Sequence, residues 1–194
     1  MTPPSAEALA ALKDALGAGG WTEDPAEIGP SLTEWRGRWS GATPLMLLPR
    51  STGEVARALR VCAGRRIPVV TQGGGTGLVG GQVPFGEVLL STRRLRAIRD
   101  VSPLDDALTV EAGVTLLEAQ QAAAAVDRRF PLGLASEGTA TIGGAVSSNA
   151  GGTGVVRYGM MRDLVLGLEA VLPDGEVFHG LKRLRKDNTG YDLK

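Results

Sequence analysis

The sequence predicts an α+β protein in two parts, a small parallel βαβ unit followed by a mostly antiparallel sheet with helices. Three observations predict it. An apolar run, a capped amphipathic helix and a second apolar run succeed one another between Leu45 and Thr71, the order of a right-handed βαβ crossover. From Ala97 the rhythm changes to short strands joined by turns of Pro, Asp and Gly, the residues that reverse a chain tightly. Glycine is in excess, 28 of 194 residues, about twice its usual ~7%, and it is clustered.

Ser5 to Leu16 reads as a helix with Leu9, Leu12 and Leu16 on one face, stopped by Gly17 to Gly20. Trp21 to Thr43 reads as loop, and Trp35 and Trp39, four apart, as a packing cluster. Leu45 to Leu48 has the length of a buried strand before Pro49. Ser51 and Glu54 form a predicted capping box, opening a helix to about Gly64 with Val55, Leu59 and Cys62 inward. Cys62 is thus a core thiol with no histidine beside it. Ile67 to Thr71 and Val88 to Ser91 are the next strands. Ala97–Val101 and Leu108–Glu111 are short strands about the turn at Ser102–Asp105. Thr115 and Glu118 are a second capping box, on an Ala-rich helix to about Val126. Leu164–Leu172 and Val177–Leu181 form a hairpin about Pro173-Asp-Gly175.

Composition removes several classes of function. Lys+Arg and Asp+Glu are equal at 21 each, against the basic excess of a nucleic-acid or anionic-membrane binder. One Cys and one His exclude an intrachain disulfide, a Cys-rich metal or iron–sulfur site and any two-imidazole site; no metal ligand is assigned. Residues 1–17 lack the basic start and apolar core of a signal peptide and the arginines of a transit peptide. No apolar run approaches the ~18 residues of a membrane span. The expectation is a soluble, cytoplasmic protein with a core of ordinary size.

The first glycine cluster is Thr71-Gln-Gly-Gly-Gly-Thr-Gly-Leu-Val-Gly-Gly81. It contains Gly75-x-Gly77-x-x-Gly80 after a strand, but Pro84 falls where a dinucleotide fingerprint needs its helix. Gly81 and Gln82 also stand where a P-loop needs Lys and Ser/Thr. What remains is a nest. A chain with six glycines between Gly73 and Gly81 can turn its N–H groups to one side and let a phosphate approach without a cation. Thr76 adds a hydroxyl.

The second cluster runs from Ser136 to Thr153 and is rich in Gly, Ser, Thr and Asn. Its middle, Thr141 to Ala150, can form a short helix of small residues on which a flat ligand packs. Two such uncharged stretches point to one extended ligand with a pyrophosphate, a dinucleotide.

Gln72-Gly-Gly-Gly-Thr-Gly-Leu-Val-Gly-Gly81, then Ile142-Gly-Gly-x-Val-x-x-Asn-Ala-Gly-Gly152 and Arg157-Tyr-Gly159, resemble the FAD-linked oxidases of the vanillyl-alcohol oxidase/PCMH superfamily. Val165–Gly175 and Leu184–Lys194 resemble its D-2-hydroxyglutarate, glycolate and D-lactate dehydrogenase branch. The resemblance implies a PCMH-type FAD-binding domain of two α/β subdomains, residues 1–95 and 96–194, in accord with the change of rhythm. It implies FAD between them, with the pyrophosphate on Gly73–Gly77 and the ring system near Gly143–Gly152. The cofactor contacts it implies are Gln72, Gly73, Gly74, Gly75, Thr76, Gly77, Gly80 and Gly81 in the first stretch. In the second they are Gly138, Thr139, Thr141, Ile142, Gly143, Gly144, Asn149, Ala150 and Gly152. The first loop has no histidine, so FAD is expected to be non-covalent. The resemblance further implies a substrate-binding cap beyond residue 194, carrying metal ligands and catalytic groups, so the chain alone is expected to be inactive.

The implied function is oxidation of a D-2-hydroxy acid to the 2-oxo acid by hydride transfer to flavin. The alternatives are another flavin enzyme of the superfamily, an alcohol oxidase or a UDP-N-acetylenolpyruvoylglucosamine reductase-like protein, or a non-catalytic FAD-binding subunit. His179 lies in a hairpin arm, Asp105 and Asp106 in a turn, and Lys182–Lys186 is a short basic run without aromatics; none is assigned a catalytic role.

Overall fold

The computed structural model describes residues 4–194; Met1, Thr2 and Pro3, the start of the N-terminal segment read above, lie outside them. Helix α1 (Ala6–Leu16) begins on Ser5, whose hydroxyl accepts from the Ala8 amide at 3.2 Å, and ends at Gly17. Ala8, Leu12 and Leu16 are its buried stripe. The stretch expected to be loop holds strand β1 (Trp21–Thr22), a helical turn α2 (Pro25–Ile28) and a 3-10 turn over Gly29–Ser31. Elements of two to four residues are too short for a periodic signal.

Strand β2 (Met46–Leu47), helix α3 (Thr52–Arg65), strand β3 (Val69–Gln72) and strand β4 (Val88–Ser91) build a four-stranded sheet in the order β1-β2-β4-β3. β4 runs parallel to both β2 and β3 and separates them, with Met46 opposite Leu89 and Val69 opposite Val88. The strands that α3 connects are therefore not neighbours. β4 is buried at all four positions, which is why it reads as an uninterrupted apolar run. One face of the sheet packs against α1 and α3 through Leu12, Leu16, Ala58 and Cys62; the other carries Ile28, Met46, Leu48 and Leu89. Cys62 is buried as expected, and burial pushes its thiol up to about 11. On α3, Ser51 caps the Glu54 amide, but the Glu54 carboxylate accepts from Arg50 rather than returning to Ser51. The predicted box is thus half a box.

The second part has two separate antiparallel hairpins, β5 (Ile98–Ser102) with β6 (Ala107–Val110) and β7 (Leu168–Val171) with β8 (Val177–Gly180). Between them lie α4 (Leu116–Ala124), α5 (Ile142–Ser147) and two helical turns, α6 (Val155–Tyr158) and α7 (Met161–Leu164). On α4 the box is complete: Thr115 caps the Glu118 amide at 3.2 Å and Glu118 accepts from the Thr115 amide at 2.8 Å. Val114, Leu116, Ala119, Leu132, Ile142, Ala145 and Met161 form the core here. A cleft of about 1270 Å³ separates the hairpins from α3 and β4, lined by Val55, Leu59, Leu90, Val101, Leu108 and Leu168 among others.

Arg99 spans that cleft. Its guanidinium donates to Glu111 at 3.0 Å and to Glu169 at 2.9 Å, while the Thr52 hydroxyl donates to Glu169 at 2.7 Å. One network so joins α3 to both hairpins. The Thr52 hydroxyl, then the Arg99 charge, hold the Glu169 carboxyl below the usual glutamate range. A carboxylate with a depressed folded-state value contributes stability that is present above its unfolded value and lost as pH falls through the folded one. Melting temperature is expected to fall on acidification from about pH 6 to about pH 3, and to fall less steeply in Glu169→Gln. Parallel curves for the two proteins would refute this role.

Candidate cofactor-binding site

In open parallel sheets ligands bind beyond the carboxyl ends of the strands. The first glycine stretch leaves the sheet there, directly after Gln72 at the end of β3. No helix follows it, as Pro84 required. Gly75 and Gly80 have positive φ, 69° and 77°, and both places need glycine. Among the described residues, no amide from Gly73 to Gly81 donates to a protein acceptor; the next that does is Val83, to the Gly80 carbonyl at 3.0 Å. Nine adjacent N–H groups without protein partners are unusual, because backbone donors are almost always paired. The Thr76 hydroxyl is likewise free of protein partners.

The second stretch comes up against the first. A Cβ on Gly74 would overlap the carbonyl oxygen of Thr139, and one on Gly73 would overlap the hydroxyl of Thr141. The two clusters therefore touch backbone to backbone, with no room for side chains between them.

Amide accounting separates their roles. In the second stretch, Ile142 donates to Val114 (2.8 Å), Gly143 to Ala112 (2.9 Å) and Gly144 to the Thr141 hydroxyl (3.3 Å). Thr139 and Ala140 donate to Ser136, Asn149 to Val146 and Ala150 to Ala145. Among the described residues, Ser136, Gly138, Thr141, Gly151 and Gly152 keep N–H groups without such partners. The start of α5 is thus closed to an anion, and what it offers is a surface of small residues. Gly143 is pressed on Ala112 and Gly152 on the Gly133 backbone.

Several expected contacts face inward. The Gln72 carboxamide is buried and donates to the carbonyls of Ser31 (2.9 Å) and Gln82 (3.1 Å), so it ties the loop from behind. The Ile142 side chain lies in the core. Asn149 has φ 47°, accepts from the Arg162 amide at 2.9 Å and reaches Met160, so its side chain is spent on the following turn. Gly80 is buried under the Trp39 indole.

The tryptophans correct the packing-cluster expectation. Trp35 is 82% exposed, and Trp39, 46% exposed, packs on the glycine loop instead of on Trp35. Its segment is shaped by Glu34, 2% exposed, which accepts from the amides of Arg36 (2.8 Å) and Arg38 (2.7 Å). Those hydrogen bonds hold its carboxyl below the usual range. Sequence reasoning missed Gln82, which donates to the carbonyls of Gly77 (2.7 Å) and Gly75 (3.4 Å). No spacing rule marks a glutamine that folds back five residues.

The remaining candidates sit as expected. His179 is exposed, with Nδ1 3.8 Å from Glu169. Asp105 and Asp106 are in the β5–β6 turn, the first held by Ser102 and Arg183, the second paired with Arg128. Lys182 and Arg183 of the basic run are neutralised by Asp187, Asp100 and Asp105.

A loop of free amides at the end of a parallel sheet, beside a surface of small residues, has the geometry that suits a dinucleotide. Solved structures carry the same fold. An alkyldihydroxyacetonephosphate synthase aligns with TM-score 0.82 at 20% identity, over 97% of this chain and 37% of that one. The 6-hydroxy-D-nicotine oxidase of Arthrobacter nicotinovorans aligns with TM-score 0.73 at 22% identity, over 84% of this chain and 36% of that one. The fold is that of the PCMH-type FAD-binding proteins. The FAD binding domain profile matches residues 43–180, and the chain belongs to that family.

Its curated relatives are similar at higher identity. A D-2-hydroxyglutarate dehydrogenase, mitochondrial, of Arabidopsis thaliana is 44% identical over 187 residues, 94% of this chain and 33% of the relative. The D-2-hydroxyglutarate–pyruvate transhydrogenase of Saccharomyces cerevisiae is 42% identical over 174 residues, 89% and 35% respectively. A putative mitochondrial D-lactate dehydrogenase of Schizosaccharomyces pombe is 40% identical over 172 residues, 88% and 33%. The chain spans about a third of the length of these relatives.

FAD is the cofactor of this family, and the residues fit it: the free amides of Gly73–Gly81 suit a pyrophosphate. No described helix is long and apolar enough to cross a membrane.

Proposed function

We propose that this chain is the cofactor-binding part of a flavoprotein oxidoreductase that converts a D-2-hydroxy acid, of the 2-hydroxyglutarate, lactate or glycolate type, to the 2-oxo acid. The row of unpartnered amides between Gly73 and Gly81 carries the reading, and the names of the relatives supply the substrate class. Flavin supplies the hydride acceptor.

The chain's own residues bind and orient. Gly73–Gly77, with the Thr76 hydroxyl, and Gly81 face the pyrophosphate, while Gly80, under Trp39, shapes the loop. Gly138, Thr139, Thr141, Gly143, Gly144, Ala150 and Gly152 form the bed for the rest of the cofactor, and Gln72, Ile142 and Asn149 shape it from behind. Residues 1–95 and 96–194 act as the two subdomains, joined by the Arg99 network. Proton abstraction and capture of the substrate carboxylate fall to residues outside these 194. Organelle fractionation decides between the cytoplasm, the compartment proposed, and the mitochondrion, named for several relatives.

The test is spectroscopic. The purified chain, or the chain supplied with FAD, is expected to show the visible flavin bands, and denaturation to release intact FAD, since no histidine stands in the loop to link it. D-2-hydroxyglutarate, D-lactate and glycolate with an artificial acceptor are expected to give no turnover. Flavin that stays on the denatured polypeptide would refute non-covalent binding, and turnover would place catalytic groups within these residues.

A further inference from the structure

We propose that Gln82 is the positioning residue of the first glycine loop, holding two of its carbonyls away from the ligand so that the adjoining amides face it. This rests on the reading of Gly73–Gly81 as the pyrophosphate site. The Gln82 carboxamide nitrogen donates to the Gly77 carbonyl at 2.7 Å and to the Gly75 carbonyl at 3.4 Å. A trans peptide is planar, with its C=O and the following N–H pointing opposite ways. Drawing the Gly75 and Gly77 oxygens toward Gln82 therefore turns the Thr76 and Leu78 amides to the other side.

Those two peptide groups need such restraint. Glycine reaches positive and negative φ at little cost, so an unrestrained Gly-Thr-Gly segment samples flipped peptides that present a carbonyl oxygen to a phosphate. Gln82 is itself anchored, because its own carbonyl accepts from the buried Gln72 carboxamide at 3.1 Å, and Gln72 also holds Ser31. The relay runs from the end of β3, through Gln72 and the Gln82 main chain, to the Gln82 side chain and the loop. A Cβ on Gly77 would lie 3.1 Å from the Gln82 oxygen, so Gly77 leaves the space that Gln82 uses. The chemistry asks for a neutral group with two donors on one nitrogen. A carboxylate there would repel both carbonyls.

The experiment compares the whole chain with Gln82→Leu and Gln82→Glu. Without FAD, the amide resonances of Thr76 and Leu78 are expected to shift most in Gln82→Leu, with melting temperature little changed. FAD affinity, followed by flavin fluorescence, is expected to weaken roughly tenfold to a hundredfold, the size expected when binding-competent geometry becomes a minor population. Gln82→Glu is expected to bind as weakly near neutral pH and to recover as pH falls, because a protonated carboxyl again donates to a carbonyl. Two facing carbonyls favour that neutral form and raise its titration above the usual range.

Wild type measured at each pH is the reference, since Glu34, Arg36, Arg38 and Glu87 lie on the segments around the loop. Glu34 and Glu87 are already engaged by the amides of Arg36, Arg38 and Phe85. Unmoved Thr76 and Leu78 amides, or Gln82→Leu binding FAD within about twofold of wild type while Gly75→Val loses it, would overturn the proposal. If Gly75→Val also binds normally, the proposal falls together with the pyrophosphate reading.

Discussion

Replacing Gly75 with valine is expected to abolish FAD binding while leaving the chain folded. Gly75 sits at φ 69°, a region that costs a non-glycine residue ~1–3 kcal/mol and is an outlier for a β-branched one. Space is not the obstacle: an added Cβ would come no nearer than 4.0 Å, to Gln72. The cost is conformational, and the loop escapes it by moving Gly75 out of the left-handed region. That rotation re-aims the amides of Gly75 and Thr76. A backbone nest works by convergence, so one rotated residue removes several donors together. Gly75→Asn is the control, since asparagine tolerates this region best among residues with a side chain. It is expected to keep most of the affinity. Equilibrium titration with FAD separates the three proteins, and a valine variant that binds like wild type would show that the loop does not hold the cofactor.

Gly74→Ala is expected to damage the site in a different way. Gly74 has ordinary backbone angles, but its α-carbon lies against the Thr139 carbonyl, where a methyl group finds no room. The partner is backbone and cannot swing aside. The two stretches must part, and forced expansion of a packed contact costs ~1–3 kcal/mol. In a protein of this size each kcal/mol moves the melting temperature by about 2–4 °C. Both stability and FAD affinity are expected to fall in Gly74→Ala, whereas Gly75→Val loses affinity with a smaller fall in stability. Unchanged melting and unchanged affinity would mean that the two loops are not in contact.

The contrast between these neighbours shows how far the site was legible. The expectation that residues 73–81 form a ligand loop followed from glycine density and from Pro84, which closes the helical alternative. That Gly75 needs its φ while Gly74 needs its space is a fact of tertiary placement. The second stretch was legible as a short helix of small residues, and the structure adds that Thr141 caps α5. Its amides were not legible, because their acceptors, Val114 and Ala112, lie about thirty residues upstream in the chain. Trp35 and Trp39 were misjudged for the same reason: spacing of four suggests a shared face, but Glu34 bends the segment so that only Trp39 reaches the glycine loop.

By itself, the sequence determined the types of the longer elements, since capping residues, turn residues and apolar runs act over a few positions. It also pointed to a dinucleotide, because two uncharged glycine-rich stretches suit one extended ligand with a pyrophosphate, and the family resemblance made that ligand FAD. Only the tertiary structure decided that β4 enters between β2 and β3, that the two glycine stretches touch, and that Gln82 folds back on the Gly75 and Gly77 carbonyls. Each of these depends on pairing between residues distant in the chain or on the direction of a single peptide plane. Local propensity carries no record of either.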